Sequence, residues 1–234
     1  MKIKPVRAGD AREVKYSEEQ WKLLKKFRGK AASIMQILSE NQIYTIIHGS
    51  VARGDVTPKS DVDIVIPYPT PSYKVEIALE RAGIQVQTKQ IVQATPSHAA
   101  KAHIYIDEKT TITFPLVELR KLEREFYKFG GELNLNQLKR GERAAGVNKR
   151  LMLIIPTDEG HIEVPVIGRE AEVARKLGVS IDIVNERVRV LTRRDEIGRT
   201  GVYLKYTLSP DETFEEALKK LADRDPAIRK RIRL

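Results

Sequence analysis

Two short stretches of the chain combine residue types and spacings that chemistry can use. His48-Gly49-Ser50-Val51-Ala52-Arg53-Gly54-Asp55 places a glycine-serine turn after an apolar run, and Ser60-Asp61-Val62-Asp63-Ile64-Val65-Ile66 sets two carboxylates two residues apart. A Gly-Ser turn between a strand and a helix presents backbone N–H groups and a hydroxyl to phosphate oxygens, aided by the positive end of the helix, and Gly49 permits close approach of the backbone. Arg53, one short turn on, could add charge to the same phosphates or pair with a structural carboxylate. Residues two apart on a strand share a side, so Asp61 and Asp63 aim at one metal site while Val62, Ile64 and Ile66 face a core. Carboxylates so placed suit Mg²⁺ (or Mn²⁺) ions that bridge phosphate and an attacking oxygen, which is the chemistry of nucleotidyl transfer. The catalytic and metal candidates are therefore Asp61 and Asp63. The candidates for nucleotide binding, or for its local scaffold, are Gly49, Ser50, Arg53 and Ser60.

The compound pattern Gly49-Ser50, Arg53-Gly54 and Ser60-Asp61-x-Asp63 resembles the DNA polymerase beta-like nucleotidyltransferase superfamily. The resemblance covers about residues 43–66, with weaker agreement in element order to roughly 118. It implies a mixed sheet flanked by helices and metal-dependent transfer of a nucleoside monophosphate from a triphosphate to a hydroxyl, with pyrophosphate leaving. It also implies a third carboxylate on a later strand, often set in Asp-x-x-Pro. The matching segment here is Thr110-Thr111-Ile112-Thr113-Phe114-Pro115. Alternation sends Ile112 and Phe114 to the core and Thr111 and Thr113 to the face where an acid is needed. A threonine cannot act as a base near neutral pH. Asp107 and Glu108 are the nearest substitutes, and Asp107 serves equally well as a turn residue. An active transferase and a catalytically degenerate regulator that binds nucleotide or nucleic acid both follow from this pattern.

The elements that must position these residues are readable. Ser17 with Glu18 and Glu19 starts an amphipathic helix over 17–40, its stripe running through Trp21, Leu24, Phe27, Ala31, Ile34 and Leu38. Ile43–Ile47 predicts a strand ending at the Gly-Ser turn, and Asp61–Ile66 a second. Helix follows over 75–82, β-rich segments over 84–94, 102–107 and 111–116, and helix again over 117–129, broken by Gly130-Gly131. A hairpin is predicted from Leu151–Ile155 and His161–Val166. The expected fold class is α+β, with a nucleotidyltransferase domain over 1–131, a polar linker over 132–149, a small second domain over 150–208 and a helical basic tail over 209–234.

Residues 174–180 with Val184 resemble a helix-turn-helix, in which Gly178 makes the turn and Ser180 caps the second helix. Ile183, Val184, Val188 and Leu191 would face inward, leaving Asn185, Arg189, Arg193 and Arg194 as nucleic-acid-binding candidates. With 198–206 as a wing, residues 168–208 resemble a winged helix. The alternative is an ordinary helix pair with solvated or acid-paired arginines. The basic run Arg229-Lys230-Arg231-Ile232-Arg233 reads as a solvated terminus.

Composition sets bounds on partners. Among 234 residues, 42 Lys and Arg oppose 32 Asp and Glu for a net charge of +10, favouring a nucleoside triphosphate and DNA or RNA as partners. No cysteine is present, which excludes disulfides, thiolate metal sites and a cysteine nucleophile. No apolar run is long enough to span a bilayer, and Met-Lys-Ile-Lys lacks the apolar segment of a signal peptide, so a cytoplasmic protein without membrane contact is expected.

Overall fold

The structure, a computed structural model, describes residues 4–7, 9–198 and 201–232. In chain order the elements are β1 (Arg12–Lys15), α1 (Glu18–Glu40), β2 (Ile46–His48), α2 (Ser50–Arg53), β3 (Val62–Val65), α3 (Ser72–Arg81), β4 (Thr88–Gln93), β5 (Lys101–Asp107) and β6 (Thr110–Pro115). There follow α4 (Lys121–Gly130), β7 (Glu132–Asn134), α5 (Leu135–Lys139), β8 (Gly146–Val147), β9 (Met152–Thr157), β10 (Gly160–Pro165), α6 (Glu170–Leu177) and α7 (Ile181–Ile197). The chain closes with β11 (Leu204–Thr207), α8 (Phe214–Arg224) and α9 (Pro226–Ile232). It is an α+β protein with a mixed sheet flanked by helices. Its contacts define two compact units, both discontinuous in sequence: one from the described parts of 1–30, 47–60 and 124–200, the other from 31–46, 61–123 and the described parts of 201–234.

The second unit contains the strand order β11-β4-β5-β6-β3. β3 pairs with β6 in parallel, whereas β6-β5, β5-β4 and β4-β11 are antiparallel. Alternation divides this sheet, although Val65 and Thr113 on the face opposite the core are buried too. Ile64, Ile112, Phe114, Ile104, Ala102 and Ile91 are fully buried on one face, joined by Val75 and Leu79 of α3 and Phe214 of α8, whose ring meets Phe114 edge-on at 5.6 Å. Glu215 ties the two helices by accepting the N–H (2.8 Å) and hydroxyl (2.7 Å) of Ser72, a carboxylate set at the positive end of α3. The C-terminal basic run, expected to be solvated, is so at Arg229 and Lys230 but not at Arg231. Arg231 is buried and donates to Glu123 at 2.9 Å and to the Glu118 carbonyl at 2.6 Å. Burial alone would raise the Glu123 carboxyl. The N–H groups of Ala99 and Arg120 and the Arg231 guanidinium together hold it below its ordinary value. Arg233 lies outside the described residues.

The first unit contains the antiparallel sheet β1-β10-β9-β8, with β7 beside β2. The predicted hairpin is β9-β10. Residues 132–149, read as a linker, instead carry β7, α5 and β8. α6 and α7 form the expected helix pair about Gly178, whose φ of 61° suits glycine. Ile183 and Val184 are buried, and Asn185, Arg189, Arg193 and Arg194 are exposed. Ser180 occupies the N-cap position of α7, as expected, but its side chain makes no capping hydrogen bond to the helix. Its hydroxyl donates to Glu125 instead. The expected wing is not found among the described residues: β11 is the edge strand of the other unit, pairing Lys205 with Val92 and Thr207 with Gln90. Arg199 and Thr200 of that proposed wing lie outside the described residues.

Candidate active site

The Gly-Ser turn belongs to the first unit and is built from backbone outward. Gly49 adopts φ 81°, ψ −142°, a conformation that side-chain-bearing residues avoid. Nothing lies within 4 Å of where its Cβ would stand, so conformation rather than crowding requires glycine. Its N–H is not left for a ligand, since it donates to the Gly131 carbonyl at 2.9 Å. The Gly49 carbonyl accepts from Arg53 N at 3.0 Å and the Ser50 carbonyl from Gly54 N at 2.7 Å, closing α2 as a single turn. Val51, Ala52 and Arg53 are buried while Ser50 remains partly exposed. Ser50 is therefore the polar group that the turn leaves at the surface.

Arg53 resolves to the second of its two readings. It is 6% exposed, donating to the Gly130 carbonyl at 2.5 Å and to Asp55 at 2.9–3.0 Å. A guanidinium so occupied holds scaffold together. Two further features of this scaffold lie outside the motif. Arg28, on α1, donates from Nε to the Val51 carbonyl and from a terminal nitrogen to the Ala52 carbonyl, each at 3.1 Å. Burial, then the charge of Arg143, lowers its pKa to about 10, which leaves it cationic at neutral pH. The pair Gly130-Gly131, read only as a helix breaker, seats the motif: a Cβ on Gly131 would stand 2.7 Å from Arg53 Cγ, and one on Gly130 would stand 2.3 Å from His48 Cε1. Their adjacency at the end of α4 was the available clue. His48 itself packs on Phe126 and Tyr127 at 5.3 Å.

Ser60 closes the turn that delivers the carboxylates. Its N–H donates to the Thr57 carbonyl and its hydroxyl oxygen accepts from Thr57 N, both at 2.9 Å.

Asp61 and Asp63 belong to the second unit. Asp61 is exposed and Asp63 partly so, whereas Val62, Ile64 and Ile66 are buried, as alternation requires. The parallel register sets Asp63 beside Thr111 and Val65 beside Thr113. The position facing Asp63 from the next strand thus carries a hydroxyl. Across β5, Tyr105 pairs with Thr111 and His103 with Thr113, and Thr113 Oγ1 lies 3.0 Å from His103 Nδ1. Burial, then the Asp63 carboxylate, raises the Tyr105 phenol. Asp107 does not join this face: a bulge between Tyr105 and Asp107 shifts the register, and Asp107 Oδ1 accepts from Lys109 N at 2.9 Å in a turn. Glu108 is exposed in the same two-residue loop.

Among the described residues no group of three His, Asp or Glu side chains is placed to hold a metal ion. Two carboxylates are nonetheless a sufficient protein share for Mg²⁺, which keeps waters and completes its shell with substrate phosphates. The donor chemistry of Asp61 and Asp63 fits that mode of binding.

Residues 30–127 match the nucleotidyltransferase domain family. This stretch, under half of the chain, contains both motif segments. A search of curated proteins returned no match. Among solved structures, the chain is similar to the polyadenylate synthase of Megavirus at 10% identity and a TM-score of 0.27. The alignment covers 97% of this chain and 52% of that one, so this chain spans about half its length. No described helix is long and apolar enough to cross a membrane.

Proposed function

We propose that the protein transfers a nucleoside monophosphate from a nucleoside triphosphate to a hydroxyl acceptor, with Mg²⁺ or Mn²⁺ bound by Asp61 and Asp63. The observation that carries this reading is the placement of these carboxylates at the start of β3, on the face turned away from the core. A metal bound there would neutralise phosphate charge and hold the acceptor oxygen near phosphorus. The acceptor oxygen forms its bond to the α-phosphorus as the bond to pyrophosphate breaks, and the hydroxyl proton passes to solvent water. Ser50 offers a hydroxyl to the phosphates, and Gly49, Arg53 and Ser60 hold the backbone around it. Asn185, Arg189, Arg193 and Arg194, exposed on α7, supply a stripe where nucleic-acid phosphates could be met.

A second reading is favoured by one observation, the pairing of Asp63 with Thr111 rather than with an acid. In it, the protein binds nucleotide or nucleic acid as a regulator and does not turn over. Incubating the full chain with each labelled triphosphate, Mg²⁺ or Mn²⁺ and pooled RNA separates the two. Transfer abolished by Asp63→Asn supports the enzyme. Nucleotide binding without transfer to any acceptor supports the regulator.

A further inference from the structure

The face of the second unit's sheet opposite its core is mostly polar, with Val65 at its β3 end and Pro115 and Val92 in the row that holds the lysines. From β3 to β11 one row runs Asp63, Thr111, Tyr105, Thr88, and the next runs Val65, Thr113, His103, Gln90, Thr207, with Lys101 and Lys205 on the row beyond. Most of these side chains are partly exposed and Lys205 and Thr207 are exposed, whereas Val65 and Thr113 are buried; on the other face Ile64, Ile91, Ala102, Ile104, Ile112 and Phe114 are sealed. A solvent-facing sheet face needs only generic polar residues. This one differs in three respects.

Charge is the first. Carboxylates occur at the β3 edge only, and the strands β4, β5 and β11 place no acid on this face but two lysines. The second is a pair of flat rings: His103 and Tyr105 lie at 6.3 Å with an interplanar angle of 22°. Burial, then the charge of Lys101, lowers the imidazole pKa to about 4, so at neutral pH both rings are uncharged stacking surfaces. The third is length. Four inter-strand steps of about 4.8 Å give a track of about 19 Å, longer than one nucleoside and suited to a polymer laid across the strands.

We propose that this face binds single-stranded RNA, its bases stacking on Tyr105 and His103, its backbone reaching Lys101 and Lys205, and its 3′ end directed to Asp63. Aromatic rings on adjacent positions of a sheet are a general platform for unpaired bases. The hydroxyl and amide groups of Thr88, Gln90, Thr111 and Thr207 complement ribose 2′-hydroxyls, which favours RNA over DNA. The inference deepens the transferase reading and rests on it for the direction of the strand, since the acceptor would then be the terminal ribose hydroxyl.

The test is fluorescence anisotropy of a labelled ten-nucleotide RNA with the full-length protein, without nucleotide or metal. Single-stranded RNA is expected to bind more tightly than the DNA of the same sequence. Tyr105→Ala should weaken binding roughly tenfold or more, while Tyr105→Phe retains it. Lys205→Ala should lower the slope of log affinity against log salt by about 0.7. Thr207→Glu, on the exposed edge strand, should weaken RNA binding even if Tyr105→Ala does not fold. Equal affinity for DNA, or RNA binding unmoved by Tyr105→Ala and Thr207→Glu but lost in Arg189→Ala/Arg193→Ala, would overturn the proposal. Transfer to a small acceptor with no RNA binding would also overturn it and leave the transferase reading standing. RNA binding lost in Tyr105→Ala supports the track whether or not any triphosphate is turned over.

Discussion

The Gly-Ser turn and the Asp-x-Asp strand are held in opposite ways. The turn is over-determined: Gly49 is fixed by Gly131, the carbonyls of α2 by Arg28, and Arg53 by Asp55 and Gly130. On β3 the ladder and an apolar underside hold the backbone, and Asp63 is paired with Thr111 on the neighbouring strand. A group that must meet charged phosphates and metal has to stay solvated until they arrive, since burying it would favour its neutral form. A backbone that must keep one unusual conformation needs ties from several directions. The difference predicts that lesions in the turn are read in stability and lesions on β3 in activity.

The largest effect tests the β3 half. Asp63→Asn keeps shape and removes charge, so transfer should fall by about a thousandfold, a loss of about 4 kcal/mol in transition-state stabilisation. Its denaturation midpoint should match wild type. Activity that survives, or a protein that unfolds, would erase the contrast. Arg53→Ala tests the other half. It leaves Asp55 and the Gly130 carbonyl without their buried partner, at a cost of about 3–5 kcal/mol in urea denaturation. Arg53→Lys should rescue only part of this, because one ammonium cannot reproduce the fork that reaches both partners.

Most of what was readable in the sequence is local. Helix α1 follows from a stripe and a cap, β3 and β6 from alternation, and the inward Ile112 and Phe114 from period two. The phosphate and carboxylate candidates followed from spacing. The braces were not readable because they are distant in sequence: Arg28 sits 23 residues before the carbonyl it holds, on an ordinary polar stretch of α1. β1 has four residues, mostly exposed, and alternates too weakly to show. Gly198 to Tyr206 looked like a wing because a short β-prone segment after a helix carries no mark of its partner, and β4 is over a hundred residues away. Arg231 looked like part of a frayed end because a basic run gives no sign that one member has a buried carboxylate waiting.

Arg28→Ala sharpens the contrast at intermediate size. The Val51 and Ala52 carbonyls lose charge-assisted donors, while Ala52 O retains the N–H of Ala144 at 3.0 Å. The expected loss is about 2 kcal/mol in urea denaturation. Because α2 also carries Ser50, triphosphate affinity should weaken in isothermal titration even where the protein remains folded. A variant that loses stability but binds triphosphate as wild type would show that the turn's geometry does not depend on this brace.

The smallest expected change in stability, and the most informative about chemistry, is Thr111→Asp. Thr111 is partly exposed and faces Asp63 in the parallel register, so a carboxylate there remains hydrated and the cost should stay within about 1 kcal/mol. Without metal the new group repels Asp63, raising the pKa of one member of the pair. With a divalent ion the repulsion becomes attraction through the shared cation. Mn²⁺ affinity by titration calorimetry should therefore tighten by about tenfold, which is about 1.4 kcal/mol, and more at pH 8 than at pH 5, where protons compete for the raised carboxyl. If transfer rises along with affinity, the threonine is what limits the wild-type reaction. Tighter metal binding with no gain in transfer would mean that the third carboxylate is not what the wild-type face lacks. Unchanged affinity would show that the Thr111 position does not converge with Asp63 on one ion.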